Sequence, residues 1–375
     1  MIEPSARTCV VAEAGVNHDG SLGQARRLVD VAADAGADAV KFQMFHAEDL
    51  VTKEAPKAEY QKETTDREQS QQAMLRDLEF GADEHEALRS HCRDAGINLL
   101  SSPFDAESAR FLVDKLGLDT LKVPSGEITN GPLLLTLGRL GTDLIVSTGM
   151  STLGEVERAL AVLAYGMMSE AGEGTPGGRV FRAAYESRSG RERLSERVTV
   201  LQCTSEYPAP AESVNLRAMD TLEQAFGLPT GLSDHTTGIA VPLAAAARGA
   251  SVIEKHFTLD QNLPGPDHAA SLEPDMLKAM VSGIRAVESA MGHGRKVPDP
   301  VETGNRHVVR KGLVARRPIE EGSTFEPDDL AAKRPAKGIS PMHYWKLIGV
   351  TAQRDYAPDE SIRESLYLDI GADVS

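Results

Sequence analysis

The sequence predicts an α/β protein: a (β/α)8 barrel followed by a small, separate β-rich unit. Three observations carry this. Eight short β-rich runs alternate with longer stretches of helical period within about 290 residues, which is the count and size of such a barrel. Nearly every run ends in polar residues, as strands do when their C-terminal ends converge on one mouth. After Met291 the alternation stops and a turn-rich stretch leads into short strands with few helices.

Strands are expected at 9–15, 39–43, 98–103, 120–127, 144–149, 198–204, 230–235 and 252–259. Helices are expected at 22–35, 84–95, 106–116, 152–165, 215–226, 238–248 and 274–291, each with apolar residues at helical spacing. Strand–helix alternation implies parallel pairing with right-handed crossovers. A doubly wound open sheet is the alternative, but it gathers polar residues at one crevice. Here Glu13, Lys41 with Gln43, Ser101 with Ser102, Lys122 with Ser125, Ser147 with Thr148, Gln202 with Thr204, Asp234 with His235, and Lys255 with His256 all stand at or near strand ends.

Two insertions interrupt the rhythm. Residues 44–82 follow the second strand, so they leave from the mouth and suggest a lid or a partner contact. Residues 166–197, rich in Gly, Arg, Glu and Ser, leave from the opposite face and read as a solvated, mobile excursion. The G-x-G-x-x-G within it, Gly172 to Gly177, is not preceded by a strand, so it lacks the context of a dinucleotide cradle. The barrel is therefore assigned to 1–291, a linker to 292–306 and the β module to 307–368. Within that module Ala315, Ile319 and Phe325 align with Ala352, Tyr356 and Ile362 at an offset of 37 residues, which suggests internal pseudo-symmetry.

The chain has 375 residues, 41% apolar and 26% charged, with a formal net charge of -16. Residues 301–375 hold 12 acidic and 11 basic residues, so almost all the net negative charge lies in residues 1–300. A chain this acidic is a poor match for a phosphate backbone, which argues against nucleic-acid binding. Three cysteines, Cys9, Cys92 and Cys203, with no C-x-x-C pair, fit a reducing cytoplasm. No signal-peptide pattern opens the chain, and no apolar run is long enough to span a membrane.

At the mouth, Lys41 and Lys122 stand among Ser101, Ser102, Ser125, Ser147 and Thr148. Fixed ammonium groups with short hydroxyl donors suit a phosphate or carboxylate. Either lysine alone equally suits an interior ion pair with Glu13 or Glu127, and a Schiff-base role is also open. Glu13 and Glu127 are candidates for proton transfer. His235, with the amide oxygen of Gln202 one strand earlier, suits a hard, weakly held divalent ion better than zinc. No H-E-x-x-H, G-x-S-x-G or P-loop is present.

Ten blocks in order carry a resemblance: AEAGVNH from Ala12, VKFQ from Val40, SSPFD from Ser101, KVPSGE from Lys122, VSTGM from Val146, QCTSEYP from Gln202, GLSDH from Gly231, EKHFT from Glu254, GPDH from Gly265, and KRP from Lys333 with GISP from Gly338. Together they resemble the bacterial sialic acid (N-acetylneuraminate) synthases and their nonulosonate relatives, over nearly the whole chain. The resemblance implies a TIM barrel followed by an antifreeze-like SAF domain, in a domain-swapped homodimer. It implies condensation of phosphoenolpyruvate with an N-acetylated amino sugar, N-acetylmannosamine first, with release of phosphate. Legionaminate or pseudaminate synthesis from a 2,4-diacetamido hexose is the alternative, and a retired carbohydrate-binding relative a third reading. Lys41, Ser102, Lys122, Ser125 and Ser147 are implied to hold phosphoenolpyruvate, Glu13 and Glu127 to move protons, and Arg334 to reach the sugar's N-acetyl group across the dimer. A divalent ion (Mn²⁺, with Mg²⁺ or Co²⁺ as options) is implied on His235. Gln202 stands where several relatives carry a second histidine ligand.

Overall fold

The computed structural model describes residues 7–66, 68–169 and 175–363, in two compact units, Met1–Gly292 and His293–Ser375. In the first, eight strands run parallel: β1 Cys9–Gly15, β2 Ala39–Met44, β3 Asn98–Pro103, β4 Thr120–Val123, β5 Asp143–Ser147, β6 Val198–Cys203, β7 Thr230–Asp234 and β8 Val252–His256. Their hydrogen-bonded order is β3-β2-β1-β8-β7-β6-β5-β4, so the first strand pairs with both the second and the eighth and the sheet curls into a barrel. The seam falls between β3 and β4.

Side chains alternate faces along each strand. Val11, Ala39, Leu100, Ile145, Leu201 and Val252 point inward and pack into an apolar floor. The outward residues join a larger core with the helices, in which Val10, Ala12, Val40, Leu121, Val146 and Ile253 meet Leu28, Leu137, Leu160 and Leu277. Helix starts on the mouth side are fixed locally. Ser21 accepts from Gln24 N ahead of helix Leu22–Asp34, and Thr152 and Glu155 form a reciprocal capping box ahead of Leu153–Met168.

Three differences from expectation have physical reasons. The fourth strand stops at Val123 because Pro124 has no N–H for the ladder, and Ser125–Glu127 turn instead into a short 3₁₀ segment. The run Gly131–Arg139 is a helix that the sequence reading passed over. Its leucines are so dense that helical period is hard to see, yet Leu133, Leu134 and Leu137 are all buried. Among the described residues of the 166–197 excursion, helices Gly178–Glu186 and Arg188–Arg197 bury Ala184 and Leu194 in the main core, and the Phe181 ring lies 5.3 Å from Tyr165. Gly172 and Gly174 lie outside the described residues, and Gly177 leads straight into a helix.

The 44–82 insertion forms helices Ala47–Leu50, Glu59–Thr64 and Gln71–Leu78. Phe45, Met74 and Leu78 pack with Val16 from the loop after β1, which ties the insertion to the mouth. His18 stacks on Phe80 at 3.8 Å, a second tie at its far end.

In the second unit, β9 Gly312–Ala315 pairs antiparallel with β10 Leu330–Lys333. Helix Thr303–Val309 starts inside the stretch expected to be linker. The repeat expected from the sequence is built as a pseudo-two-fold. Ala315 N donates to Glu360 O at 2.9 Å and Asp359 N to Ala315 O at 2.8 Å; their counterparts are Ala352 N to Ser323 O at 2.7 Å and Gly322 N to Ala352 O at 2.8 Å. At the pseudo-axis Ile319 and Tyr356 exchange hydrogen bonds of 3.0 and 2.8 Å, and all six repeat residues lie in this unit's core. Residues 364–368 lie outside the described residues.

Candidate active site

One pleat above the apolar floor the inward residues become polar. Lys41 Nζ lies 2.8 Å from Glu254 Oε2 and 3.3 Å from Glu13 Oε2, and Lys122 Nζ lies 3.4 Å from Glu254 Oε1. All four side chains are buried. Glu254 also accepts from Ser233 Oγ at 2.8 Å, and Gln43 Nε2 reaches Glu13 Oε1 at 3.4 Å.

The two carboxylates respond differently to this setting. Burial works against charge on Glu254, but Lys122 and Lys41 together hold it below the usual carboxylate range. Burial pushes Glu13 up to about 7; Lys41 opposes the rise and Glu254 adds to it. For Lys41, burial is outweighed by Glu13 and Glu254, which raise it; for Lys122, burial wins and lowers it. Lys41 and Glu13 are both shifted up, which a simple ion pair between them does not explain. The shorter contact resolves it: Glu254 is the counter-ion, and Glu13 is the carboxyl that keeps a proton near neutrality. The cluster then sets two lysines against one full carboxylate and a carboxyl that titrates near neutrality, inside an acidic protein.

Donors without partners face the same space. The hydroxyls of Ser102 and Ser147 are buried and unbonded, a costly state for polar groups that a ligand would relieve. Ser125 Oγ accepts from Gly149 N at 3.0 Å. A Cβ on Gly149 would stand 2.3 Å from Ser205 Oγ and 2.7 Å from Ser125 Oγ, so only glycine keeps this hydroxyl-lined notch open. The site is chemically an anion cradle, with a titrating carboxyl at its edge.

Across the mouth, β7 and β8 contribute imidazoles. The rings of His235 and His256 are 5.3 Å apart, and Tyr207 packs against both. His235 Nδ1 lies 2.7 Å from Thr204 O and 3.9 Å from Cys203 Sγ. The carbonyl contact is the hydrogen bond, so in the neutral ring Nδ1 carries the proton and Nε2 the lone pair. Burial holds His256 well below its usual value, hence neutral, and its buried Nδ1 has no hydrogen-bond partner. Asp267 Oδ2 is 3.8 Å from that nitrogen, and burial pushes this carboxyl up to about 6. Burial works against charge on His235, but Cys203 and the Thr204 carbonyl outweigh it and raise this imidazole, so the pair would fit a divalent ion once His235 gives up its second proton. Among the described residues no three His, Cys, Asp or Glu side chains gather as a ligand set.

Glu13, Lys41, Ser102, Lys122, Ser147 and His235 come together at the mouth, with Ser125 beside Gly149. Gln202 does not join them. Leu201 belongs to the inner floor, so its neighbour points out of the barrel, and the Gln202 amide donates to Val214 O at 2.9 Å. Glu127 sits on a half-exposed turn, accepting from Asn130 Nδ2 at 2.7 Å. Arg334 is exposed on the second unit, just after β10. Glu254, Ser233, Tyr207 and Asp267 were missed, and His256 was placed at a strand end without a role. The signal for two of them was present: with Val252 facing in, a period of two puts Glu254 and His256 inward as well. Lys255, which that period turns outward, pairs with Asp234 at 2.6 Å.

Eight parallel strands around a cationic, hydroxyl-lined mouth define a TIM-barrel enzyme acting on a small anion. Residues 28–296 match the NeuB family and residues 310–367 match the SAF domain. An N,N'-diacetyllegionaminic acid synthase of Campylobacter jejuni is 46% identical over 358 residues, 96% of this chain and 99% of that one. Its counterpart from Legionella pneumophila is 42% identical over 346 residues, 92% of this chain and 90% of that one. A crystal structure of N-acetylneuraminic acid synthetase from Leptospira borgpetersenii, in complex with citrate, superimposes with a TM-score of 0.65 at 30% identity, covering 80% of this chain and 90% of that one. The chain belongs to the NeuB family. No helix among the described residues is long and apolar enough to cross a membrane.

Proposed function

We propose that this enzyme condenses phosphoenolpyruvate with a 2,4-diacetamido hexose to give a legionaminate-type nine-carbon sugar acid and phosphate. The two legionaminic acid synthases at 46% and 42% identity carry that choice of sugar, and favour it over N-acetylmannosamine. The chemistry is supported by the anion cradle. Lys41, Lys122, Ser102, Ser147 and the Ser125–Gly149 notch receive the phosphate and carboxylate of phosphoenolpyruvate, filling the orphaned hydroxyls.

Carbon 3 of the enol attacks the aldehyde carbon of the open-chain sugar, whose oxygen takes up a proton to become a hydroxyl; water adds at carbon 2 with loss of a proton, and the tetrahedral centre expels phosphate, which leaves with the carbon 2 hydroxyl proton as the ketone forms. Glu13, poised near 7, accepts the proton of that water. A divalent ion such as Mn²⁺, with Mg²⁺ or Co²⁺ as alternatives, would be held by His235 and His256 and would polarise the aldehyde oxygen as a Lewis acid. The acceptor then lies on the β7–β8 side, with Asp267 facing its hydroxyls. Glu127, at the rim, orients rather than accepts.

Incubation with phosphoenolpyruvate, Mn²⁺ and a panel of amino sugars tests the reading. The 2,4-diacetamido hexose should release phosphate fastest; faster release with N-acetylmannosamine would move the assignment to sialic acid, and release with none would contradict the activity. The exposed Arg334 supports a domain-swapped homodimer in which it reaches the partner's mouth, in the cytoplasm where phosphoenolpyruvate is made. An equimolar, freely exchanging mixture of Arg334→Ala and Lys122→Ala chains should then recover about a quarter of wild-type activity, since half of its dimers are mixed and each of those has one of two sites intact. No recovery would place the arginine elsewhere.

A further inference from the structure

Two loops meet beside Asp267, and a buried imidazole joins them. His268, in the loop after β8, is fully buried; its Nε2 lies 3.0 Å from Asp19 Oδ1 in the loop after β1, and its Nδ1 lies 2.6 Å from Thr258 Oγ1. A second strut runs alongside. Asn17 Nδ2 donates to Phe257 O at 2.8 Å and to Ser271 Oγ at 2.9 Å, while Ser271 Oγ donates to Asp267 O at 2.6 Å. The fit leaves no slack. A Cβ on Gly265 would stand 2.7 Å from His268 Cδ2 and 3.1 Å from Asp19 Oδ1. Asp19 itself stands at φ 50, in the left-handed region that aspartate enters more readily than most side chains.

We propose that Asp19 and His268 form a clamp that positions Asp267 in the mouth and so sets the affinity for the amino sugar, without touching either substrate. The proposal rests on the placement of the acceptor beside Asp267 given above. Asp267 is one peptide from His268, on a long irregular loop between β8 and helix Pro274–Met291. A loop of that length left free would have to be ordered each time the sugar binds, and that entropy cost appears as lost affinity. The clamp removes it in advance. The anion cradle is built from strand residues and the Ser125–Gly149 notch, none of them on this loop, so the two substrates should respond differently.

Steady-state kinetics of the full-length protein separate them. Asp19→Ala should raise the KM for the amino sugar about tenfold and leave that for phosphoenolpyruvate within about twofold. Asp19→Asn keeps an oxygen acceptor for the imidazole and should restore most of the affinity. Gly265→Ala, which presses on the same contact from the other side, should repeat the selective loss. Equal rises in both KM values, or an unchanged sugar KM in a folded Asp19→Ala protein, would overturn the clamp while leaving the condensation intact. If the wild-type protein released no phosphate with any amino sugar, the functional reading itself would fail and take the clamp's role with it.

Discussion

Two successive rings of side chains inside the barrel, on the same six strands, differ completely in chemistry. The lower ring is Val11, Ala39, Leu100, Ile145, Leu201 and Val252. Two residues further along those strands stand Glu13, Lys41, Ser102, Ser147, Cys203 and Glu254, all buried or nearly so. The backbone ladder is continuous and the step is only about 6.6 Å, so geometry alone does not make the difference. The lower ring gains stability by excluding water. The upper ring buries charges and leaves hydroxyls unbonded, each of the latter costing about 1–3 kcal/mol until a ligand arrives. A TIM barrel can carry this because its stability resides in the floor and in the helix–strand layer, and its reactivity in the mouth.

The sharpest way to break this contrast is to remove charge from the upper ring. Lys122→Ala or Lys41→Ala should lower kcat/KM for phosphoenolpyruvate by about 100-fold or more, mostly through KM for the anion, with the protein still folded. Unchanged kinetics would remove these lysines from the anion cradle. Next come the imidazoles: His235→Ala or His256→Ala, or excess EDTA on the wild type, should reduce activity to background, with Mn²⁺ reviving only the EDTA-treated protein. Gln202→Ala should behave like wild type in metal titrations. A Gln202→Ala protein that needs far more Mn²⁺ would restore glutamine as a ligand.

The third expectation concerns pH. With Glu13 raised to about 7, kcat/KM should climb through that pH as the carboxyl loses its proton, and Glu13→Gln should be slow with that limb removed. The stability effect has the opposite slope. Folded Glu13 keeps a proton that the unfolded chain loses from about 4.5, so wild type loses stability between about 4.5 and 7 relative to Glu13→Gln. Parallel Tm curves for the two proteins across that window would contradict a raised Glu13. The mildest effect on catalysis should come from the lower ring: Ile145→Ala should cost about 2–5 kcal/mol in urea unfolding and leave both KM values nearly unchanged.

Much of this was legible in the sequence, for reasons that particular residues make plain. Parallel strands that are buried on both faces announce themselves as Val- and Leu-rich runs, and β1 and β3 fall where those runs lie. The mouth was legible wherever a polar residue ended such a run, as at Lys41, Lys122 and His235. Direction was harder. Gln202 was chosen because it is polar, although its neighbour Leu201 faces the floor and a period of two turns the glutamine outward. The same rule, applied from Val252, picks out Glu254 and gives His256, already noted at a strand end, its inward direction. Tyr207 and Asp267 lie on loops, which have no period to read, and their place in the mouth depends on contacts between segments far apart in the chain. The helices of the 166–197 stretch are masked by their exposed arginines, because only Ala184, Gly190 and Leu194 mark the buried side.

The measurement closest to the central claim is calorimetric titration of phosphoenolpyruvate into the wild-type protein and into folded Lys41→Met and Lys122→Met variants, without sugar. If the upper ring is the anion cradle, the wild type binds one phosphoenolpyruvate per chain and each variant loses that binding while keeping its Tm. Equal affinity in all three proteins would contradict the account.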